Sequence, residues 1–288
     1  MLDRLLSLMS HDVGMVYDGQ RLWLSRKDLT VGPIDLIYQP DRPPPLPDHL
    51  SNDIRDALST KQHLAEEPQI EALFKGGEYD GDIDPLVAIL KRGLRECVGR
   101  SQLIAPRVVL GGPYVSMGSK FFWLEAMERA GARQRFLVDY SLASAIGLDL
   151  PVLQTDGLGI VVMHQDVTAF AMMAYAAELC AGIVPFGYQH LNEGRDERDR
   201  SVYAIVVANA VRDTMSQTLR DRHLDSLAAN GFAFCCPGQD NGHAIAKRLE
   251  EELGIAMNTH SADAPPALEG IQIYLDHLAD WKQTLRRV

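Results

Sequence analysis

Apolar positions along the chain switch between two periods. Leu2, Leu5, Leu6 and Met9 recur at the i, i+3, i+4, i+7 spacing of one helical face, so residues 2–9 predict a short amphipathic helix. Its polar face carries Asp3 and Arg4 and no basic cluster, so docking onto protein competes with a weak peripheral membrane contact as its use. Residues 15–24 read as two short strands joined at Asp18 and Gly19, a dipeptide that supplies the positive φ angles of a tight hairpin. Five of the fifteen prolines then fall within residues 40–47, which excludes a helix or a central strand and predicts a loop or linker.

Beyond it the pattern alternates. Leu86, Leu90, Leu94 and Cys97 form a helical stripe starting at Ile83, and residues 107–110 (RVVL) form a buried-strand run closed by Gly111, Gly112 and Pro113. A helix over 121–130, a strand over 135–138, a helix over 141–146 and a strand over 159–163 follow. In the second half, 161–173 and 176–184 predict adjacent strands, 194–200 (GRDERDR) a solvated loop and 202–219 a long helix. Residues 232–235 predict a strand and 242–253 a helix, and Ile271, Leu275, Leu278, Trp281 and Leu285 form the stripe of a last helix. Strands alternating with helices imply an α/β fold. Two halves of similar build give the simplest division: residues 1–154 with a small insertion over about 36–76, residues 155–270, and a C-terminal helix over 271–288.

Composition narrows the function. With 46% apolar and 23% charged residues the 288-residue chain can bury a full core, and 28 basic against 39 acidic residues leave a net charge of −11. That charge disfavours a nucleic-acid partner, because phosphate binding needs a positive field. Cys97, Cys180, Cys235 and Cys236 form no C-x-x-C pair, and no secretory signal is visible, so a reducing cytoplasm is expected with neither a disulfide frame nor a metal site. No apolar run reaches the roughly 20 residues of a membrane-spanning helix. The expected location is therefore the cytoplasm, with residues 2–9 as the one point of peripheral contact at the inner membrane.

The middle of the chain carries a pattern: PRVVLGGP at 106–113, ERAGAR at 128–133 and DYSLASAIGLDLPV at 139–152. In order and spacing it resembles the bacterial actin MreB and relatives such as the magnetosome filament protein MamK, whose segments read P-R-V-V-x-G-x-P, A-G-A-R and E-E-P-x-A-A-A-I-G-x-x-L-P-V. Residues 77–90 are similar to the family's G-V-I-x-D-F-D-x-x-E-x-M-L with one insertion, placing Asp82 and Asp84 on its two aspartates, and 231–255 is similar to its G-I-x-L-T-G-G-G segment and following helix. The resemblance implies an actin-like fold of two α/β domains around a nucleotide cleft, the fold shared with sugar kinases and chaperone ATPases. It also implies a reduced second half, because only about forty residues lie between Gly187 and Gly231, where the family holds a further subdomain.

Departures from the family pattern fall on the nucleotide contacts. Against the first phosphate hairpin, D-L-G-I-D-L-G-T, stand Asp12 through Gly19, so Val16 occupies the position of the metal-organising aspartate, unless a shifted register gives that role to Asp12. Against the second loop, D-I-G-G-G-T-T, stand Met163 through Ala169, where Asp166 sets a carboxylate in place of the glycines that let backbone amides approach phosphate. The T-E-V-E segment with the catalytic glutamate aligns with Ser116 to Ser119, and T-G-G-G with Cys235, Cys236, Pro237 and Gly238. The resemblance thus implies a vestigial cleft at Asp12, Asp18, Gly19, Asp82, Asp166, Thr168 and Gly238 with no catalytic residue, no metal ligand and no cofactor expected. Two other uses of these residues stay open: Asp82 as a helix N-cap, and His164 with Gln165 and Asp166 as a new cluster, against which stands the lack of any H-x-x-x-H or H-x-E spacing.

The expected function is that of a catalytically inactive MreB-like protein: a cytoskeletal scaffold, filament subunit or regulator acting through protein contacts with itself, another actin-like protein or a membrane-bound one. The alternative is an active actin-like ATPase using ATP and Mg²⁺ at a rearranged phosphate site. A kinase of the same fold is disfavoured, because the aspartate base and glycine-rich loops it needs are not found.

Overall fold

The computed structural model describes residues 12–19, 21–26, 29–38, 71–72, 74–75, 78–79, 82–99, 105–113, 116–153, 157–164, 167–175, 177–188, 197–236, 242–260 and 264–277. The helix expected over 2–9, the proline-rich segment 40–47, Asp166 and Gly238 lie outside them. Strands β1 (Asp12–Tyr17), β2 (Arg21–Arg26) and β3 (Leu29–Asp35) form an antiparallel meander. Two-residue strands β4 (Ile37–Tyr38) with β5 (Glu71–Ala72) and β6 (Phe74–Lys75) with β7 (Glu78–Tyr79) make two small separate ladders.

Helix α1 (Ile83–Val98) returns the chain so that β8 (Arg107–Gly112) runs parallel to β1, and α2 (Met117–Arg129) does the same for β9 (Gln134–Asp139). The first sheet has the order β3-β2-β1-β8-β9. After α3 (Tyr140–Gly147) the plan repeats: β10 (Leu158–Met163), β11 (Thr168–Ala174) and β12 (Ala177–Val184) form a second meander. Helices α4 (Glu197–Thr218) and α5 (Asp221–Asn230) lead to β13 (Phe232–Cys235), and α6 (Gly242–Leu253) leads to β14 (Met257–His260). The second sheet has the order β12-β11-β10-β13-β14, so strand for strand the halves are copies. Helix α7 (Pro266–Asp276) closes the described chain.

Strand periodicity sorts side chains into three cores. Val13, Met15 and Tyr17 of β1 and Val108 and Leu110 of β8 face outward onto α1 and α2, through Leu86, Leu90, Trp123 and Met127. Val161, Phe170, Phe232 and Phe234 face outward onto α4 and α6. The intervening residues, Val16 and Val109 from one sheet and Ile160, Val162, Ala171 and Cys235 from the other, meet on α3 and α7 between the sheets. Helices α3 and α7 cross closely because a Cβ at Gly147 would strike the carbonyl oxygen of Pro266, and one at Gly270 that of Ala143. Ala143 with Gly147 and Pro266 with Gly270 are each four residues apart, so each helix presents one small face to the other.

Several expectations are corrected. Residues 197–200, expected as loop, belong to the first turn of α4, since Glu and Arg are good helix formers and the apolar stripe that marks a helix begins only later. The long helix ends at Thr218, and a separate α5 follows through an extended Arg220 with φ −94° and ψ 159°. Edge strands β3 and β14 were not expected: β3 is mostly exposed and β14 has four residues, so neither shows the apolar run of a buried strand. The last helix begins at Pro266, ahead of its stripe at Ile271, and Leu278, Trp281 and Leu285 lie outside the described residues.

Candidate functional site

In open α/β sheets ligands collect beyond the carboxyl ends of the parallel strands. Here those ends belong to β1, β8 and β9 in one half and to β10, β13 and β14 in the other. The β1–β2 and β10–β11 turns stand there and meet: a Cβ built on Gly19, whose φ is +112°, would lie 3.9 Å from Cγ2 of Val167.

The first turn closes on itself. Arg21 donates its backbone N–H to Asp18 Oδ1 at 2.7 Å and its Nε–H to Oδ2 at 3.3 Å, while Tyr17 Oη donates to the Gly19 carbonyl at 2.7 Å. The Asp18 side chain is only 5% exposed, so this buried carboxylate is matched by the guanidinium beside it. From the same guanidinium Nη2 donates to the phenol oxygen of Tyr188 in the second half at 3.3 Å, and its carbon lies 5.2 Å from the Trp23 ring centre.

The second turn is closed as well. His164 N–H donates to the Val167 carbonyl and the His164 carbonyl accepts from Tyr188 N–H, both at 2.8 Å. Thr168 is fully buried; its Oγ1 donates to the Phe186 carbonyl at 2.7 Å and lies 2.6 Å from Tyr203 Oη. The His164 ring meets Tyr140 of α3 edge-on with centroids 4.3 Å apart, and its Nε2 has no hydrogen-bond partner among the described residues. Burial, helped by the Arg21 charge, pushes the His164 pKa down to about 3, so the imidazole is neutral. Burial likewise raises the Tyr140 phenol well above its ordinary value, with Asp18 adding to the effect.

Of the residues singled out from sequence, the structure brings Asp18, Gly19 and His164 to this junction. Thr168 starts β11 beside it, with its hydroxyl engaged inside the second half. Asp12 stands at the far end of β1, where its carboxylate accepts from Arg107 Nε at 2.6 Å and pairs with Nη2. Asp82 is the N-cap of α1, accepting from Asp84 N–H at 3.1 Å, and Asp84 pairs with Arg129. Val16 is buried in the core between the sheets. Arg21, Tyr140 and Tyr188 were not singled out. Arg21 carried one signal, its place three residues after Asp18 in a hairpin turn, whereas Tyr188 lies 167 residues away from it.

At the same strand ends a cavity of about 220 Å³ opens between the halves, with Gly112, Pro113, Lys120 and Asp139 facing Phe170 and Glu178. Lys120 Nζ lies 3.3 Å from Asp139 Oδ1. Burial raises the Glu178 pKa; Asp139 adds to the rise and Lys120 opposes it. A larger hollow of about 830 Å³ lies at the opposite end of the first sheet, beside Pro106 and the last turns of α1 and α2. Its Arg95 stands in the last turn of α1, where a cation answers the partial negative charge of a helix C-terminus, and its Arg92 pairs with Glu96; lying away from the carboxyl ends of the strands, it is not the candidate site. Among the described residues no group of three or more His, Cys, Asp or Glu side chains is placed to hold a metal ion.

No protein-family model and no curated protein matches the chain. Solved structures do. MreB 5 of Spiroplasma citri bound to AMPPNP aligns at TM-score 0.72 and 11% identity over 96% of this chain and 98% of that one. The fold is actin-like. The MamK double helical filament aligns to this actin-like chain at TM-score 0.60 and 8% identity, over 92% and 98% of the two chains. The ethanolamine utilization protein EutJ from Carboxydothermus hydrogenoformans aligns at 0.53 and 12%, over 92% and 89%.

Proposed function

We propose that this actin-like chain is catalytically inactive and works through protein contacts, as a cytoskeletal scaffold, filament subunit or regulator. One observation carries the reading: at both turns that would wrap a nucleotide's phosphates, polar groups are already engaged within the chain. The Asp18 carboxylate is engaged by Arg21 and the Thr168 hydroxyl by Phe186 and Tyr203. Val16, aligned with the family's metal-organising aspartate, is fully buried among apolar groups. The cavity between the halves, about 220 Å³, is smaller than the roughly 300–1,000 Å³ of small-molecule sites. A triphosphate with its Mg²⁺ does not fit these residues, and no step is assigned to one.

Contact with other proteins is supported by the kind of protein this chain resembles in fold, a filament subunit among them. The reading includes a reduced second half: between Gly187 and Gly231 the described residues contribute α4 and α5 and no strand. It places the protein in the cytoplasm, in keeping with the finding that no described helix is long and apolar enough to cross a membrane.

Calorimetric titration with Mg-ATP and a phosphate-release assay test the inactive reading. Neither saturable heat nor turnover above background is expected. Micromolar affinity with turnover that disappears in Asp18→Ala would replace it with the active ATPase, the state suited to a fold also solved with AMPPNP and with ADP in MreB 5.

A further inference from the structure

Arg21 reaches across the junction, and its partners are arranged so that neither half can move without disturbing it. Its Nε and Nη2 both lie 3.3 Å from Asp18 Oδ2, and Nη2, which carries two hydrogens, also reaches Tyr188 Oη at 3.3 Å. Trp23, on the same strand as Arg21, lies under the guanidinium at 5.2 Å. Tyr188 is fixed in turn, its backbone N–H bonded to the His164 carbonyl, and His164 N–H closes the second turn on Val167. His164 then meets Tyr140 on α3, the helix that leads out of the first sheet. A continuous path therefore runs from the Asp18 turn through Arg21 and Tyr188 to the other turn and back to the first half.

We infer that Arg21 is an internal clamp that holds the two halves at one separation by bridging Asp18 and Tyr188, in place of an external ligand. The inference rests on the proposed function for one point, that no nucleotide enters between the turns. A guanidinium suits the task because its planar fork offers several donors in fixed directions, whereas a lysine ammonium is a single point of charge on a flexible stem.

Hydrogen exchange on the intact protein tests the clamp through peptides covering 12–26 and 158–174, in the wild type, Tyr188→Phe, Arg21→Gln and the double variant. Each single variant is expected to speed exchange about tenfold at both turns, including the turn that was not altered, and the double variant to add nothing further. Acceleration confined to the altered half, additive effects, or single variants within twofold of the wild type would overturn the clamp. If Arg21→Gln does not fold, Tyr188→Phe decides alone, because it removes one hydroxyl and keeps the ring. A wild-type arm with Mg-ATP separates the two readings. Protection of both turns by ATP overturns the nucleotide-free function, whereas unchanged exchange in the variants overturns the clamp alone.

Discussion

His164 is a neutral imidazole sealed between two halves, and that makes it an acid-sensitive point. Its folded pKa of about 3 lies below the ordinary 6.5, so between those values the unfolded chain binds a proton that the folded chain refuses. Stability is therefore fully present above pH 6.5 and is lost progressively as pH falls toward 3, by up to 1.4 kcal/mol per pH unit. Urea melts of the wild type and His164→Phe from pH 7.5 to 4 should diverge on the acid side, the variant showing the shallower loss; parallel curves would refute it. The four cysteines are all buried, and burial lifts the Cys235 and Cys236 pKa values to about 12. Since the thiolate is the reactive form, the native protein should resist a thiol reagent at pH 8, and guanidinium should release four equivalents. Little of this was legible in sequence. The Asp18-Gly19 turn was visible because its signal is local, and Asp82 because a cap is local too. The environment of His164 and the reach of Arg21 depend on contacts between halves, for which periodicity carries no information.

At the scale of elements, the α3–α7 crossing decides how closely the sheets approach. Replacing a helical glycine by alanine ordinarily stabilises by about 1 kcal/mol. At Gly147 and Gly270 the sign should reverse, because the added methyl meets backbone of the other helix, which cannot rotate aside. We expect Gly147→Ala and Gly270→Ala each to lose about 1–3 kcal/mol net in chemical denaturation. Gly118→Ala is the control: near the exposed start of α2 its Cβ would meet only Ser116 Oγ at 3.4 Å, so stability should hold or rise. Elements that bury a strong stripe or run were legible, as α1, β8, β10, β13 and α6 show. Those missed have weak patterns for physical reasons: β3 and β14 are exposed edges, and the α4–α5 break carries neither Gly nor Pro. The α3–α7 crossing was hidden because small residues give no periodic signal until their partner is known.

For the molecule as a whole, the repeated strand order means that two like halves meet on α3 and α7 and at the paired turns. A ligand changes the angle between such halves only by binding the two arrangements with different affinity. If Arg21 already bridges the turns, nucleotide has no differential contact to offer, and assembly should be indifferent to it. Charge then becomes the main external control: at −11 the subunits repel, and salt screens that repulsion over roughly 10 Å at 0.1 M. Light scattering and negative-stain microscopy should therefore show the same particles with and without Mg-ATP, while raising salt from about 0.02 to 0.2 M should enlarge them or leave them unchanged. Long filaments that form only on addition of ATP would mean that the two turns open to admit phosphate and that the cleft still switches the subunit. Dissociation by salt would instead place complementary charge at the contact, against the expectation drawn from net repulsion.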